Sequence, residues 1–209
     1  MDEKTIRLIA ITDDLRDGRE GLAARAAAAV RGGATMVQLR LKHVEPRELV
    51  EVARTLVQRL PVPVVVNDRL DVALAAGAAG VHLGADDLAV AAARAMVPPG
   101  FVIGASLGEE RELGDAQRAD YVGIGPLFAT MSKRDAGPAI GLPRFTRLAN
   151  LGARPAVAIG GVTVQNARVA IDAGAVGVAV VRAIFSAPDP EGAARALRVA
   201  MGDQLEVSP

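Results

Sequence analysis

The chain has 209 residues, of which 51% are hydrophobic and 23% charged, and its 24 basic and 24 acidic side chains cancel to a formal net charge of zero. The length and composition predict one globular domain. The charge balance argues against nucleic-acid or membrane partners, which an excess of basic residues would have indicated. The chain has no cysteine, which excludes a disulfide scaffold and thiolate metal sites. No apolar run reaches the roughly 18 residues of a membrane span. We expect a soluble cytoplasmic protein.

Short apolar runs alternate with alanine-rich helical stretches along the chain. The strand candidates are, in order, RLIAIT, MVQLR, VPVVVN, GVHLG, FVIGAS, YVGIG, AVAIG and GVAVV. The helical stretches are GREGLAARAAAAVR, EPRELVEVARTLVQRL, residues 70 to 76, DLAVAAARAMV, GEERELGDAQR, PRFTRLAN, TVQNARVAIDA and PEGAARALRVAM. Continuous apolar strands are typical of a parallel sheet that is buried on both faces beneath helices.

A weak internal repeat strengthens this pattern. Residues 32–40, 76–84, 117–125 and 173–181 each run from a helix end through small residues into a strand. Eight β/α units in about 200 residues predict an α/β fold, a single-domain (β/α)₈ TIM barrel over residues 1–209 with the last few residues as a loose tail. An open doubly wound sheet is the alternative, but its G-x-G-x-x-G fingerprint is missing after the first strand.

Polar residues follow most of the predicted strands. In a TIM barrel the active site forms at the carboxyl ends of the strands, so these residues are expected to converge on one rim. In chain order they are Gln38, Arg40 and Lys42; Asn67, Asp68 and Arg69; Asp86 and Asp87; Ser106; Thr130, Ser132, Lys133, Arg134 and Asp135; and Arg182.

Gln38, Arg40 and Lys42 alternate along QLRLK, so on a strand their side chains point the same way. Two cations that face one mouth repel each other unless an anion lies between them, so the pattern favours an anion site. The alternative is an exposed strand end with solvated cations.

Asp68 and Asp87 follow adjacent predicted strands. Two carboxylates at one place favour a shared cation, and oxygen ligands suit Mg²⁺ with water and phosphate. As alternatives, NDRLD forms an Asx turn that caps the next helix, and Asp86 or Asp87 caps the helix that follows it.

Gly160 and Gly161, together with the short helix start after strand eight, lie where barrels often bind phosphate, although glycine pairs also form ordinary turns. His82 lies within an apolar strand and is interpreted as a hydrogen-bonded core histidine, and His43 as a solvated loop residue. No Ser-His-Asp or Cys-His arrangement stands out.

The segments VQLRLKH, VVNDRLDVALAAGAAGVHLGADDL, YVGIGPLFATMSKRDAG, AVAIGGVT and GVAVVRAIF resemble the thiamine-phosphate synthase family, which includes related thiazole tautomerases. The resemblance runs in order from ITDD (11–14) to about residue 190. It implies a transferase that joins a hydroxymethylpyrimidine diphosphate to a thiazole phosphate, or to its carboxylated precursor. The products are thiamine phosphate and pyrophosphate, formed by a dissociative substitution that Mg²⁺ assists.

The resemblance also implies a role for each matching residue. The pyrimidine diphosphate would contact Gln38, Leu39, Arg40, Leu41, Lys42, Asn67, Ser106 and Lys133. The thiazole phosphate would contact Thr130, Met131, Ser132, Gly161, Val181 and Arg182, and Mg²⁺ would bind Asp68 and Asp87. Arg40, Lys42 and Lys133 would be catalytic, because their charge would stabilise the departing diphosphate.

The chain departs from the usual family pattern at Ala85, Gly108 and Arg182, and two other functions stay open. One is the thiazole tautomerase, which needs a general acid or base near the thiazole, naturally a histidine at position 108. The other is a non-catalytic barrel that binds thiazole phosphate and regulates. A homodimer is possible.

Overall fold

A computed structural model of the chain describes residues 1–130 and 137–204. Eight parallel strands pair in sequence order and close on themselves, because β8 also pairs with β1. The strands are β1 (Leu8–Ile11), β2 (Met36–Leu39), β3 (Val64–Asn67), β4 (Gly80–Leu83), β5 (Val102–Leu107), β6 (Tyr121–Ile124), β7 (Ala156–Ile159) and β8 (Gly177–Val180). The predicted (β/α)₈ barrel is confirmed. Seven of the eight strands lie within their predicted runs, and β5 extends one residue past FVIGAS, to Leu107.

The strands separate two apolar layers. Alternate residues point inward, where Ile9, Met36, Val65 and Val157 belong to one buried cluster. The residues between them point outward and pack against the helices in a second, larger cluster. Burial on both faces explains why the strands are continuously apolar instead of alternating with polar residues.

The helices follow the strands and cover the outer layer. They are α1 (Gly18–Arg31), α2 (Pro46–Arg59), α3 (Leu70–Ala76), α4 (Val90–Met96), α5 (Leu113–Ala116), α6 (Gly141–Gly152), α7 (Ala167–Asp172), α8 (Arg182–Phe185) and α9 (Pro190–Ala200), with 3₁₀ turns at Glu3–Ile6 and Glu110–Glu112. None of the helices in the described ranges is long and apolar enough to cross a membrane. The predicted loose tail falls mainly on residues 205–209, which lie outside the described part of the chain.

The start of α4 corrects one prediction. Neither Asp86 nor Asp87 caps this helix, whose N-cap is Ala89 without a side-chain cap bond. Instead the backbone amides of Val90 and Ala91 donate to the carboxylate of Asp115, over 2.7 and 3.1 Å. The cap therefore comes from the next helix, which leaves Asp87 to serve another role.

At the amino end of the strands a charged clasp joins the two ends of the chain. Arg7, which precedes β1, donates from Nε to both oxygens of Asp203, over 3.0 and 3.1 Å, and from Nη1 to the carbonyl of Val176 over 2.9 Å. Arg198 of α9 also donates to Asp203 and reaches the carbonyl of Gly33 before β2, over 2.6 Å. The clasp thus ties α9 to the closing strands of the barrel.

Candidate active site

The carboxyl end of β2 presents the residues of the predicted anion site. Gln38 points into the barrel and is 4% exposed, whereas Leu39 points outward into the layer beneath the helices, so only its backbone faces the mouth. Leu41 also packs against that outer layer. Arg40 is partly buried and Lys42 is exposed, so the cations stand at the edge of the mouth.

Arg40 is held through its backbone by a residue that sequence reasoning missed. Thr12, fully buried at the end of β1, accepts from the Arg40 amide over 2.9 Å and donates to the Arg40 carbonyl over 3.1 Å. The only signal in the sequence is a hydroxyl that ends the apolar run RLIAIT. This pair of bonds fixes where the backbone of Arg40 leaves the sheet.

The two candidate metal ligands follow neighbouring strands. Asp68 comes directly after β3 and has a positive φ of 64°, and its backbone amide donates to the carbonyl of His82 in β4 over 2.8 Å. Asp87 follows β4, and its Oδ2 accepts from the Gly84 amide over 2.7 Å. Helix α3 takes Arg69 as its N-cap, so Asp68 does not occupy the cap position that the alternative interpretation gave it.

The donor set fits a hard cation that a phosphate helps to hold. The described residues contain no group of three or more His, Cys, Asp or Glu side chains arranged to hold a metal ion. Two aspartates at the ends of paired strands nevertheless match Mg²⁺, which commonly binds one or two carboxylates and completes its shell with water and substrate phosphate. The left-handed backbone of Asp68 is a strained conformation, of the kind that occurs at ligand sites.

Ser106 lies at the end of a polar chain inside the barrel. Its hydroxyl is 3.2 Å from Nε2 of His82, whose Nδ1 is 3.1 Å from the hydroxyl of Tyr121. Burial raises the pKa of the Tyr121 phenol well above the usual value, against a smaller lowering by the nearby Gln38 side chain. The prediction that His82 is a hydrogen-bonded core histidine is confirmed, and Tyr121 is a residue that sequence reasoning missed.

The loops after β6 and β7 lie against each other. The amides of Leu127 and Phe128 donate to the carbonyls of Ile159 and Gly160, over 2.8 and 3.0 Å. Gly161 has a φ of 66°, and a Cβ placed there would lie 2.5 Å from the Ala129 carbonyl oxygen. Glycine is therefore required for this approach, which brings the Gly161 backbone next to the segment that leads into Thr130.

Val181 and Arg182 follow β8, as the N-cap and the first residue of α8. Val181 is partly buried against the inner apolar cluster, and Arg182 is exposed. The last residue of this short helix, Phe185, accepts a hydrogen bond of 2.5 Å through its carbonyl from Arg16, which lies in the loop after β1. Three predicted site residues, Met131, Ser132 and Lys133, lie outside the described residues.

Position 108, where a tautomerase would carry a histidine, lies just beyond β5. The Gly108 amide donates to Glu112 over 2.7 Å, and its carbonyl accepts from Arg144 over 3.0 Å. Among the described residues, a Cβ at this position would meet only Glu112 Oε2, at 3.7 Å, which is ordinary van der Waals contact. Space therefore does not force a glycine here, and position 108 itself supplies no acid or base for tautomerase chemistry.

Comparisons with known proteins agree with this arrangement. Residues 8–184 match the family model described as thiamine monophosphate synthase. The thiamine-phosphate synthase of Azorhizobium caulinodans is 46% identical over 92% of this chain and 93% of its own length. That of Roseiflexus castenholzii is 45% identical over 90% of this chain and 84% of its own length.

A solved structure supports the same relationship. The thiamine phosphate pyrophosphorylase of Pyrococcus furiosus superposes with a TM-score of 0.85 at 35% identity, over 96% of this chain and 97% of that one. A 3-hexulose-6-phosphate synthase at 22% identity, with a TM-score of 0.71 over 93% of this chain and 99% of that one, shares the fold alone. The chain therefore belongs to the thiamine monophosphate synthase family and is a transferase.

Proposed function

We propose that the chain joins 4-amino-2-methyl-5-hydroxymethylpyrimidine diphosphate to 4-methyl-5-(2-phosphoethyl)thiazole and releases pyrophosphate. With the carboxylated precursor of the thiazole, CO₂ is released as well. The observation that carries the proposal is the arrangement at the carboxyl ends of β2 to β5. Gln38 is buried inside the barrel there and Ser106 hydrogen-bonds the buried His82, while Asp68 and Asp87 follow the neighbouring strands β3 and β4. An uncharged heterocycle and a diphosphate–metal group need these two kinds of surroundings side by side.

The pyrimidine diphosphate is bound, in this proposal, by the segment Gln38–Lys42 with Asn67, Ser106 and Lys133. Leu39 and Leu41 contribute backbone, since both side chains pack outward. The bond between the pyrimidine methylene and the diphosphate oxygen breaks, and the electron pair leaves with the diphosphate. Arg40, Lys42 and Lys133 stabilise the charge that develops on this leaving group. Mg²⁺, held by Asp68 and Asp87, supplies further neutralisation of the diphosphate when bound.

The thiazole phosphate is bound on the opposite side of the mouth. Gly161 contributes backbone beside Thr130, and Met131, Ser132, Val181 and Arg182 complete the site. The thiazole nitrogen then donates its electron pair to the methylene carbon that the diphosphate has left. The enzyme forms no covalent bond in this scheme, and holding the two substrates in contact supplies much of the rate.

The test is to incubate the purified protein with both phosphorylated substrates and Mg²⁺ and to measure thiamine phosphate and pyrophosphate together. We expect equal amounts of the two products and loss of both when the metal is chelated. Activity on a thiazole carboxylate phosphate without thiamine phosphate would instead identify a tautomerase. Binding of thiazole phosphate without any turnover would identify the regulatory barrel.

Removal of single charges tests the roles of the residues. Lys133→Ala is expected to lower turnover at least tenfold, the scale of a lost charge contact in the transition state. Near-normal turnover in Lys133→Ala would remove this residue from the mechanism. A homodimer and a cytoplasmic location stay predictions, which sedimentation and cell fractionation would test.

A further inference from the structure

The loop that carries Asp87 runs between two buried residues. Leu83 ends β4 and is 1% exposed, and Val90 begins α4 and is 3% exposed. Residues 85–89 between them are all exposed. An exposed segment gains little stability from packing, so the contacts at its two ends decide how firmly the Asp87 carboxylate is held in place.

The end of this loop nearer β4 is closed by the loop itself. The Asp87 amide donates to the Gly84 carbonyl over 3.2 Å, and the Gly84 amide donates to Asp87 Oδ2 over 2.7 Å. Carboxylates that bind metal ions are commonly hydrogen-bonded in this way, because such a bond orients them. The turn therefore holds Asp87 to the end of β4.

The end of the loop nearer α4 depends on a side chain from another helix. The N-cap of α4 is Ala89, which makes no side-chain cap bond, so the first amides of the helix need an acceptor from elsewhere. Asp115 of α5 supplies it, since Val90 donates to Oδ2 over 2.7 Å and Ala91 donates to Oδ1 over 3.1 Å. A charged acceptor makes such bonds stronger than bonds between neutral groups. Asp115 thus fixes the helix start that lies just beyond Asp87.

A matched contact lies on the same short stretch of chain. Glu112, the last residue of the 3₁₀ turn before α5, accepts through Oε2 from the amides of Gly108 and Glu109, over 2.7 and 3.1 Å. The chemistry is the same, with one carboxylate and two backbone amides. The loop that Glu112 holds follows β5, however, and carries neither candidate metal ligand. Glu112 therefore separates general support of a loop from support of Asp87.

We propose that Asp115 is a positioning residue for magnesium binding, because it fixes the start of α4 and with it the loop that carries Asp87. The inference rests on the proposed function, since that function assigns Mg²⁺ to Asp68 and Asp87. Without Asp115 the start of α4 frays, and Asp87 spends less time where it shares a cation with Asp68. The affinity for the cation falls in proportion to the fraction of molecules that hold the competent loop.

The experiment measures how far Mg²⁺ strengthens the binding of inorganic pyrophosphate, the product that the proposed reaction releases. Calorimetric titrations with Mg²⁺ and with a chelator give two dissociation constants for the anion, and their ratio measures the contribution of the metal. We expect Asp115→Ala to lower this ratio about fivefold, less than the loss of a direct hydrogen-bond partner of a metal ligand costs. Binding in the chelator should stay within about twofold of wild type, because the cap of α4 acts on the anion only through the metal.

Two further variants separate this role from a general loss of structure. Glu112→Ala removes the matched contact and is expected to leave the ratio unchanged. Asp115→Asn keeps one acceptor oxygen and should lower the ratio less than Asp115→Ala, and it serves as the test where Asp115→Ala does not fold. Hydrogen exchange gives a readout without any ligand, since the Val90 and Ala91 amides should exchange faster in the Asp115 variants than in wild type.

A double variant tests whether Asp115 acts through Asp87. In a protein that already carries Asp87→Ala, adding Asp115→Ala should not lower the ratio further, because both substitutions remove the same ligand from the metal. Losses that multiply in the double variant would contradict this route.

The outcomes distinguish failure of this inference from failure of the proposed function. A wild-type protein that makes no thiamine phosphate would overturn the proposed function. An active wild-type protein in which Mg²⁺ does not strengthen pyrophosphate binding would remove the metal site on which the inference rests. An active protein whose ratio is unchanged in both Asp115 variants, or falls equally in Glu112→Ala, would overturn the role of Asp115 alone.

Discussion

Two threonines join β1 to β2 by the same pair of hydrogen bonds at opposite ends of the barrel. Thr35, before β2, accepts from the Leu8 amide over 3.0 Å and donates to the Leu8 carbonyl over 3.2 Å. Thr12, after β1, makes the equivalent bonds to Arg40, over 2.9 and 3.1 Å. The local chemistry is identical, so any difference in what the two residues do must come from their surroundings.

At the amino end, charges are paired with charges and with backbone carbonyls, as in the clasp of Arg7, Arg198 and Asp203. At the carboxyl end, neither Arg40 nor Arg182 has an ion-pair partner within the described ranges 1–130 and 137–204. Unmatched cations at a barrel mouth cost stability but bind anions. The comparison teaches that the charges at one end of the barrel stabilise the fold, whereas those at the other end are left for the ligand recognition that we propose.

The largest effect is expected at the mouth. Asp68→Asn keeps a residue that tolerates the left-handed backbone but removes the charge, and it should lower turnover about 100-fold. Unfolding in urea should change by less than about 0.5 kcal/mol. Asp71→Asn is the matched control, because Asp71 lies nearby on α3 and pairs with Arg69. Equal turnover in the two variants would contradict the assignment of Asp68.

The next effect is expected in the clasp, where Asp203→Asn should lower the free energy of unfolding by about 1.5–3 kcal/mol at neutral pH. Burial by itself would raise the pKa of Asp203, but hydrogen bonds from Arg7 and Arg198 outweigh it and hold the pKa below its usual value. The folded state therefore favours the charged form.

The stabilisation by Asp203 is therefore complete above the pKa that this carboxyl has in the unfolded chain, about 4. It is lost as the pH falls through the lower pKa that the carboxyl has in the folded protein. Urea titrations of wild type and Asp203→Asn from pH 7 downward measure this. The two stability curves should converge only in acid, and turnover at neutral pH should be equal. Curves that stay parallel into acid would show that the Asp203 charge is not the source of the stability.

A smaller effect separates the two threonines directly. Thr12→Val and Thr35→Val each remove one hydroxyl and should each cost about 1 kcal/mol of stability. Only Thr12→Val should also lower kcat/KM for the pyrimidine diphosphate, by about tenfold, because it releases the backbone of Arg40. A similar loss of activity in Thr35→Val would show that the effect is general loosening of β1 and β2.

The smallest effect is expected at Arg182. Arg182→Ser should raise KM for thiazole phosphate about threefold to tenfold without changing kcat, since an exposed cation binds the phosphate equally in ground and transition states. Arg168→Ser, on the surface of α7 beside Asp172, is the control and should leave KM unchanged. A lower KM in Arg182→Ser would mean that the arginine crowds the site.

Most of the fold is predictable from the sequence, because burial on both faces makes every strand a continuous apolar run. The predicted stretch GREGLAARAAAAVR coincides with α1. The strands fall within their predicted runs except that β5 extends one residue past FVIGAS, to Leu107. The cap of α4 was predicted wrongly, because the sequence favours a neighbouring aspartate and the actual acceptor, Asp115, is 25 residues away. Short-range signals do not report such a contact.

Parts of the candidate site are predictable where a polar residue directly follows a predicted strand, as the aspartates after β3 and β4 do. The residues that support the site are harder to predict from the sequence, because each one contacts a partner that is distant along the chain. His82 meets Tyr121 across 39 positions of sequence, and Thr12 meets Arg40 across 28. The one signal for the contact between His82 and Tyr121 is the presence of Gly104 and Gly123 on the inner face, where a Cβ would crowd these rings. It can be interpreted only once the strand register is known.

The bonds of Thr12 to Arg40 also make strand register part of the geometry of the proposed site. β1 and β2 pair with Ile11 opposite Gln38, and the two threonines hold that alignment at both ends. A slip of one position would move β2 by about 3.3 Å and turn each side chain to the other face. Leu39 would then replace Gln38 inside the barrel. In an enzyme built on a closed sheet, the register between two strands thus decides which side chains face the site, as much as the residue types at the mouth do.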